Sequence, residues 1–205
     1  MRTLQITLKG ITPLIMHSCR TVNPLHPLKK ELAKYTGKRK KTDDDFEMIS
    51  HLEWLASAYY NEDVQRPIEN WLDDGMYLYI PTENIEKTII NGAKMHKRGK
   101  DIERFVAIPG LEVPVDIEDA RPLREIWKDL RFRDVRQMVV NRARVTRTRA
   151  RFDRWKTSEF EMLYDETKID IEGILQAIEN AGKYVGLCDS RPKYGQFTAI
   201  INELD

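Results

Sequence analysis

A chain of 205 residues that is 41% hydrophobic and 33% charged can bury a core without disulfide staples, and is too apolar to be read as disordered. Its net charge of +1 excludes a protein that is basic or acidic throughout. Cys19 and Cys188, far apart, form no disulfide framework, metal site or redox pair. No apolar run reaches membrane-span length, and the start reads as a strand instead of a secretory leader, so a cytoplasmic protein is expected.

Residues 3–11 alternate apolar and polar side chains, the period of a half-buried strand, and Pro13 ends it. Residues 21–41 carry Pro24, Pro27 and Gly37 among many lysines, which predicts a mobile basic loop. Thr42 before Asp43, Asp44 and Asp45 suits a helix start, and Phe46, Ile49, Leu52, Leu55 and Tyr59 continue it at helical spacing to about Tyr60. Residues 76–80 predict a short strand. From Thr82 a second helix follows, with Ile85, Ile89, Ile90 and Ala93 as its buried stripe.

Pro109, Gly110 and Pro114 make residues 108–115 a loop or an edge strand, and residues 121–132 read as irregular with one helical turn. Residues 135–148 and 155–165 predict strands. Asp170 to Gly182 is the clearest helix, with Ile171, Ile174, Leu175 and Ile178 on one face. A polar turn over 186–195 precedes a last strand over 197–204. The order strand, helix, strand, strand, helix, strand predicts an α+β fold of ferredoxin-like (RRM-like) type. Its antiparallel sheet and two core helices would form a single domain over 1–205, with a basic loop and helical insertions at about 20–75 and 96–135.

Charge is segregated along this frame. Residues 142–154 hold six arginines against Asp153, and residues 29–41 hold seven lysines and arginines against Glu31. The remainder is net acidic, a pattern that points to a polyanion partner. Arg142, Arg144, Arg147, Arg149, Arg151 and Arg154 offer guanidinium forks that match phosphate oxygens. A bulge near Val145 and Thr146 would turn them to one side, with Phe152 or Trp155 as a stacking plane. A solvated edge strand protected by charge is the bland alternative. Lys38, Arg39, Lys40 and Lys41 extend the basic surface, and Arg191, Lys193 and Tyr194 add cations and a ring on the glycine-bearing turn.

Leu8-Lys9-Gly10-Ile11-Thr12-Pro13-Leu14-Ile15-Met16-His17 resembles the first strand and turn of the RAMP superfamily. These repeat-associated RNA-binding proteins form CRISPR effector backbones and process guides. Tyr79 to Ile89 is similar to the strand, proline and helix step of the backbone subunits. Residues 186–197 are similar to their C-terminal glycine-rich loop and final strand, although Cys188 and Gln196 stand where the family has glycine and a basic residue. The length suits a stand-alone relative, such as a phage-encoded one, better than an effector component.

The resemblance implies a non-catalytic protein that binds single-stranded RNA or DNA and self-associates along the strand through the 21–41 loop. It also implies an alternative, a metal-independent endoribonuclease with His17 as general base. A third reading is a protein-interaction module, such as a phage defence inhibitor that mimics an effector subunit. No cofactor motif or zinc spacing is present. Asp43 to Asp45 could hold a divalent ion or cut a target strand, but a helix start explains them.

Overall fold

Alternating and helically spaced apolar residues fold into an α+β chain with, among the described residues, six α-helices and mostly antiparallel sheets. The computed structural model describes residues 1–72, 75–140 and 142–204. Its elements run β1 (Arg2–Gly10), β2 (Leu14–Ile15), α1 (Pro27–Thr36), α2 (Asp43–Ser57), β3 (Leu78–Pro81), α3 (Thr82–Lys94), α4 (Gly99–Phe105) and β4 (Val106–Ala107). They continue with β5 (Glu112–Ile117), α5 (Leu123–Ile126), β6 (Arg133–Val140), β7 (Ala143–Phe152), β8 (Trp155–Thr157), β9 (Phe160–Tyr164), α6 (Ile171–Asn180) and β10 (Phe197–Leu204).

The chain divides into two compact units. One comprises Met1–Leu14, Leu78–Glu118 and Asp153–Asp205; the other comprises Ile15–Tyr77 and Asp119–Phe152. The material expected as an insertion at about 20–75 lies in the second unit, while the one expected at about 96–135 is divided between the two at Glu118. Residues 99–117 stay with the first unit as α4, β4 and β5.

In the first unit β1 is central, and its alternate residues Leu4, Ile6 and Leu8 are fully buried. β10 runs antiparallel along one edge, from Thr3 opposite Leu204 to Gly10 opposite Phe197. The other edge takes β9 and β8, with Arg2 opposite Tyr164 and Lys9 opposite Lys156. β4 lies beyond β9, β5 beyond β8, and β3 beyond β5. α3 and α6 pack closely because Gly92 has no side chain; a Cβ there would lie 2.4 Å from the Ala177 carbonyl oxygen. Asp170 caps α6 by accepting from the Gly173 N–H, and Arg98 grips the same carboxylate.

The second unit is built on a three-stranded sheet ordered β2–β7–β6. β6 and β7 form an antiparallel hairpin in unbroken register from Arg133 opposite Ala150 to Val140 opposite Ala143. α2 lies along β7 and substitutes side chains for a neighbouring strand. Glu53 accepts from the Thr148 N–H at 2.9 Å and Ser57 Oγ from the Ala150 N–H at 2.8 Å. Trp54 donates its indole N–H to the Phe132 carbonyl, and the ring packs edge-on to the buried Phe152. The start of α2 is a capping box, in which the Thr42 side chain accepts from Asp45 N–H and the Asp45 carboxylate accepts from Thr42 N–H. That accounts for Asp45 by backbone satisfaction, while Asp43 and Asp44 stand in the first turn, where the helix dipole favours carboxylates.

Two expectations are corrected. Residues 21–41 are not an irregular loop: Pro27 opens α1, where its fixed φ suits the first helical position, and Leu28 is fully buried. β5 is neither a loop nor an edge strand. Val113 and Val115 are buried, β3 pairs on one side, and β8 joins on the other from Val115 onward.

Candidate nucleic-acid interface

The arginine run lies on β7 and the turns on either side of it, and strand geometry sorts its members. Residues directly opposite in an antiparallel pair share a face. Register therefore groups Asp134 with Arg149 and Arg136 with Arg147 on one face, and puts Arg144 beside Val139 on the other. No bulge occurs at Val145 and Thr146, so the expected gathering of Arg142 and Arg144 with the other arginines does not take place. Arg142 sits in the turn with φ of 67°; its neighbour Asn141 lies outside the described residues.

Burial separates the run further. Arg149 is only 3% exposed and pairs with the equally buried Asp134 at 2.7 Å, so it belongs to the interior and not to a contact surface. Asp134 also takes the Arg136 guanidinium at 2.6 Å. Arg147 is half-exposed and bonds the buried Glu53. Arg151 is half-exposed and Arg154 exposed, the latter reaching Glu118 at 2.7 Å within the first unit. Arg142 and Arg144 remain exposed at the end of the hairpin.

The proposed stacking planes are corrected as well. Phe152 is fully buried, and Trp155 is buried with its indole N–H donated to the Thr12 carbonyl. Its ring fills the space that a side chain at Gly10 would need, 2.2 Å from an ideal Cβ. Trp155 is a core residue of the first unit and offers no face to a base.

The lysine-rich stretch stays outside. Lys29 and Lys30 are exposed on α1, and Arg39 and Lys40 are exposed in the connection to α2. Lys38 bonds Asp45 at 2.6 Å and is the main reason that this carboxyl sits below its ordinary range, helped by the Thr42 N–H. Lys41 donates to the Lys38 carbonyl. Within the second unit a pocket of about 310 Å³ is lined by His17, Lys29, Glu53, Met138 and Arg147 among others. Cations from the first basic stretch and from the arginine run thus meet at one site, beside the exposed His17.

The glycine-bearing turn belongs to the first unit. Leu187 N–H bonds the Gly195 carbonyl and Gly195 N–H bonds the Pro13 carbonyl, which pins its base. Gly195 has φ of 72°, and a Cβ there would lie 2.0 Å from the Leu187 carbonyl oxygen, so only glycine fits. Arg191 and Lys193 are exposed at its tip, and Lys193 Nζ lies 5.7 Å from the Tyr194 ring. Cys188 is sheltered in the same turn, and burial pushes its thiol up to about 12, away from reactivity.

Sequence reasoning missed Glu53 and Asp134. Glu53 carried a readable signal, since a carboxylate within the buried stripe of Leu52, Leu55 and Ala56 demands a cation. Among the described residues no three His, Cys, Asp or Glu side chains gather as metal ligands, and no helix is long and apolar enough to cross a membrane. No known protein-family model matches the chain, and no curated protein matches its sequence.

Proposed function

We propose that this chain is a RAMP-like protein that binds single-stranded nucleic acid without cutting it. The observation that carries the reading is the exposed basic surface of the second unit, with Lys29 and His17 at the pocket where Arg147 is paired with Glu53, and Arg142 and Arg144 at the end of the hairpin. Lysine and arginine spread over a hairpin and a helix follow a phosphate backbone more naturally than one small anion. The sheet order β10, β1, β8 with β9, then β5 with β4, together with α3 and α6, supports a ferredoxin-like core for the first unit.

Fluorescence anisotropy with labelled single and double strands of RNA and DNA, across a salt series, tests the reading. Tighter binding to single strands with a steep salt dependence is expected. Equal affinity at low and high salt, or no binding to any strand, overturns it.

His17 in that pocket also favours a second reading, endoribonuclease activity. On this reading the imidazole takes a proton from a 2′-hydroxyl while Lys29, which lines the same pocket, holds the phosphate. Incubation with labelled RNA in excess chelator distinguishes the two. Cleavage that disappears in His17→Ala supports an enzyme, and intact RNA supports binding alone.

A further inference from the structure

We propose that the first unit forms a two-fold dimer through the outer edge of β10 and the adjoining stripe of α6, independently of any nucleic acid. Among the described residues β10 pairs with β1 alone, so alternate residues of this eight-residue strand turn their backbone N–H and C=O groups to an open edge. Proteins guard such edges with lysine, proline, bulges or a covering segment. The sequence Phe-Thr-Ala-Ile-Ile-Asn-Glu-Leu contains neither lysine nor proline, its register with β1 has no bulge, and Ile200 is 54% exposed.

Beside this edge runs an apolar groove of about 460 Å³ lined by Ile11, Leu175, Ile178, Phe197, Ala199 and Ile201. Glu179 and Lys183 stand on its rim. Glu172, Leu175 and Glu179 recur at spacings of three and four residues on α6, so they share one helical stripe, and Lys183 follows in the π-helical turn Ala181–Val185 at its end. Leu175 on it is 39% exposed.

Charge complementarity selects a second copy of this chain as the occupant. The stripe is acidic at Glu172 and Glu179, and Lys183, exposed just beyond its end, is basic. A two-fold axis normal to the sheet makes β10 antiparallel to its copy and brings the two stripes together head to tail. Glu172 of each copy then faces Lys183 of the other, with the leucines between them. Centring β10 on Ile200 places Ala199 opposite Ile201 and Thr198 opposite Asn202, so helix-facing residues meet helix-facing residues. The same patch serves both copies, as a closed isologous contact requires.

Sedimentation velocity of the full chain, nuclease-treated and free of nucleic acid, over a concentration series tests this directly. A monomer–dimer equilibrium is expected. Ile200→Lys and, separately, Glu172→Lys each weaken it by about tenfold or more in dissociation constant, because each sets like charges or a buried charge across the axis. The exchange Glu172→Lys with Lys183→Glu restores dimerisation, which a merely misfolded variant could not do. A wild type that stays monomeric at every concentration overturns the proposal. So does a dimer whose strength none of these changes alters, or one that the charge exchange fails to restore.

Discussion

The two ends of the β6–β7 hairpin use the same residue type for opposite purposes. At its foot Arg149 and Asp134 are buried together, and Arg147 is held by Glu53 from α2. At its tip Arg142 and Arg144 stand in water. Six arginines in a row therefore do not make six phosphate contacts. Carboxylates distant in sequence withdraw some of them into the architecture, and what remains for a ligand is set by exposure.

The contrast is broken most severely at the foot. Asp134→Ala removes the buried carboxylate that Arg149 and Arg136 share, and unfolding free energy by urea titration should fall by about 3–5 kcal/mol. A loss below about 1 kcal/mol would mean that Arg149 escapes to solvent and behaves like the tip. Replacing both by apolar residues, Asp134→Leu with Arg149→Met, should recover most of the loss.

The next effect is a pH dependence at the same foot. His51 on α2 stacks on Trp127 with ring centroids 3.9 Å apart, and Arg133 lies over the same indole at 4.5 Å. Burial above all, then Arg133 and Lys128 against the opposing Glu47, lowers the imidazole to about 4 from its ordinary 6.5. Between those values the unfolded chain binds the proton that the folded chain refuses. Stability is thus full above about pH 6.5 and falls as pH drops towards 4, by about 2 kcal/mol once partial solvent access is allowed for. Thermal melts from pH 7 to 4 should show this slope, and His51→Phe should flatten it.

At the tip, Arg142→Ala with Arg144→Ala should leave the melting temperature unchanged and weaken strand binding. The slope of log K against log salt should flatten by about 1.4, at about 0.7 per phosphate contact on a single strand. An unchanged slope would remove the tip from the interface. The smallest effect belongs to Arg154, whose pair with Glu118 is 75% and 66% exposed at its two side chains. Arg154→Ala should shift unfolding by no more than about 0.5 kcal/mol.

Elements with a dense apolar period were legible in the sequence. α2, α3 and α6 follow from their stripes, and the starts of α2 and α6 follow from Thr42 and Asp170 as caps. α1 was not legible, because Leu28 is its only fully buried residue among many lysines and two prolines read as breakers. β5 was obscured by Pro114, although Val113 and Val115 keep the strand period. In the site, the cations were visible but their sorting was not. Asp134 shares a face with Arg149 through strand register, and Glu53 reaches Arg147 from another element, relations that one-dimensional spacing does not carry.

The central place of β1 has a kinetic consequence. Among the described residues every strand that pairs with it, β8, β9 and β10, starts at Trp155 or later. Contacts of such separation close large chain loops before any reward arrives, so folding of the first unit should be slow for its size. On a ribosome adding about 5–20 residues per second, Leu4, Ile6 and Leu8 wait for about ten seconds or more with no strand to join. Through that interval the nascent chain carries an unpaired apolar ribbon, and its yield in the cell will depend on chaperone capacity during synthesis more than on the stability of the finished fold.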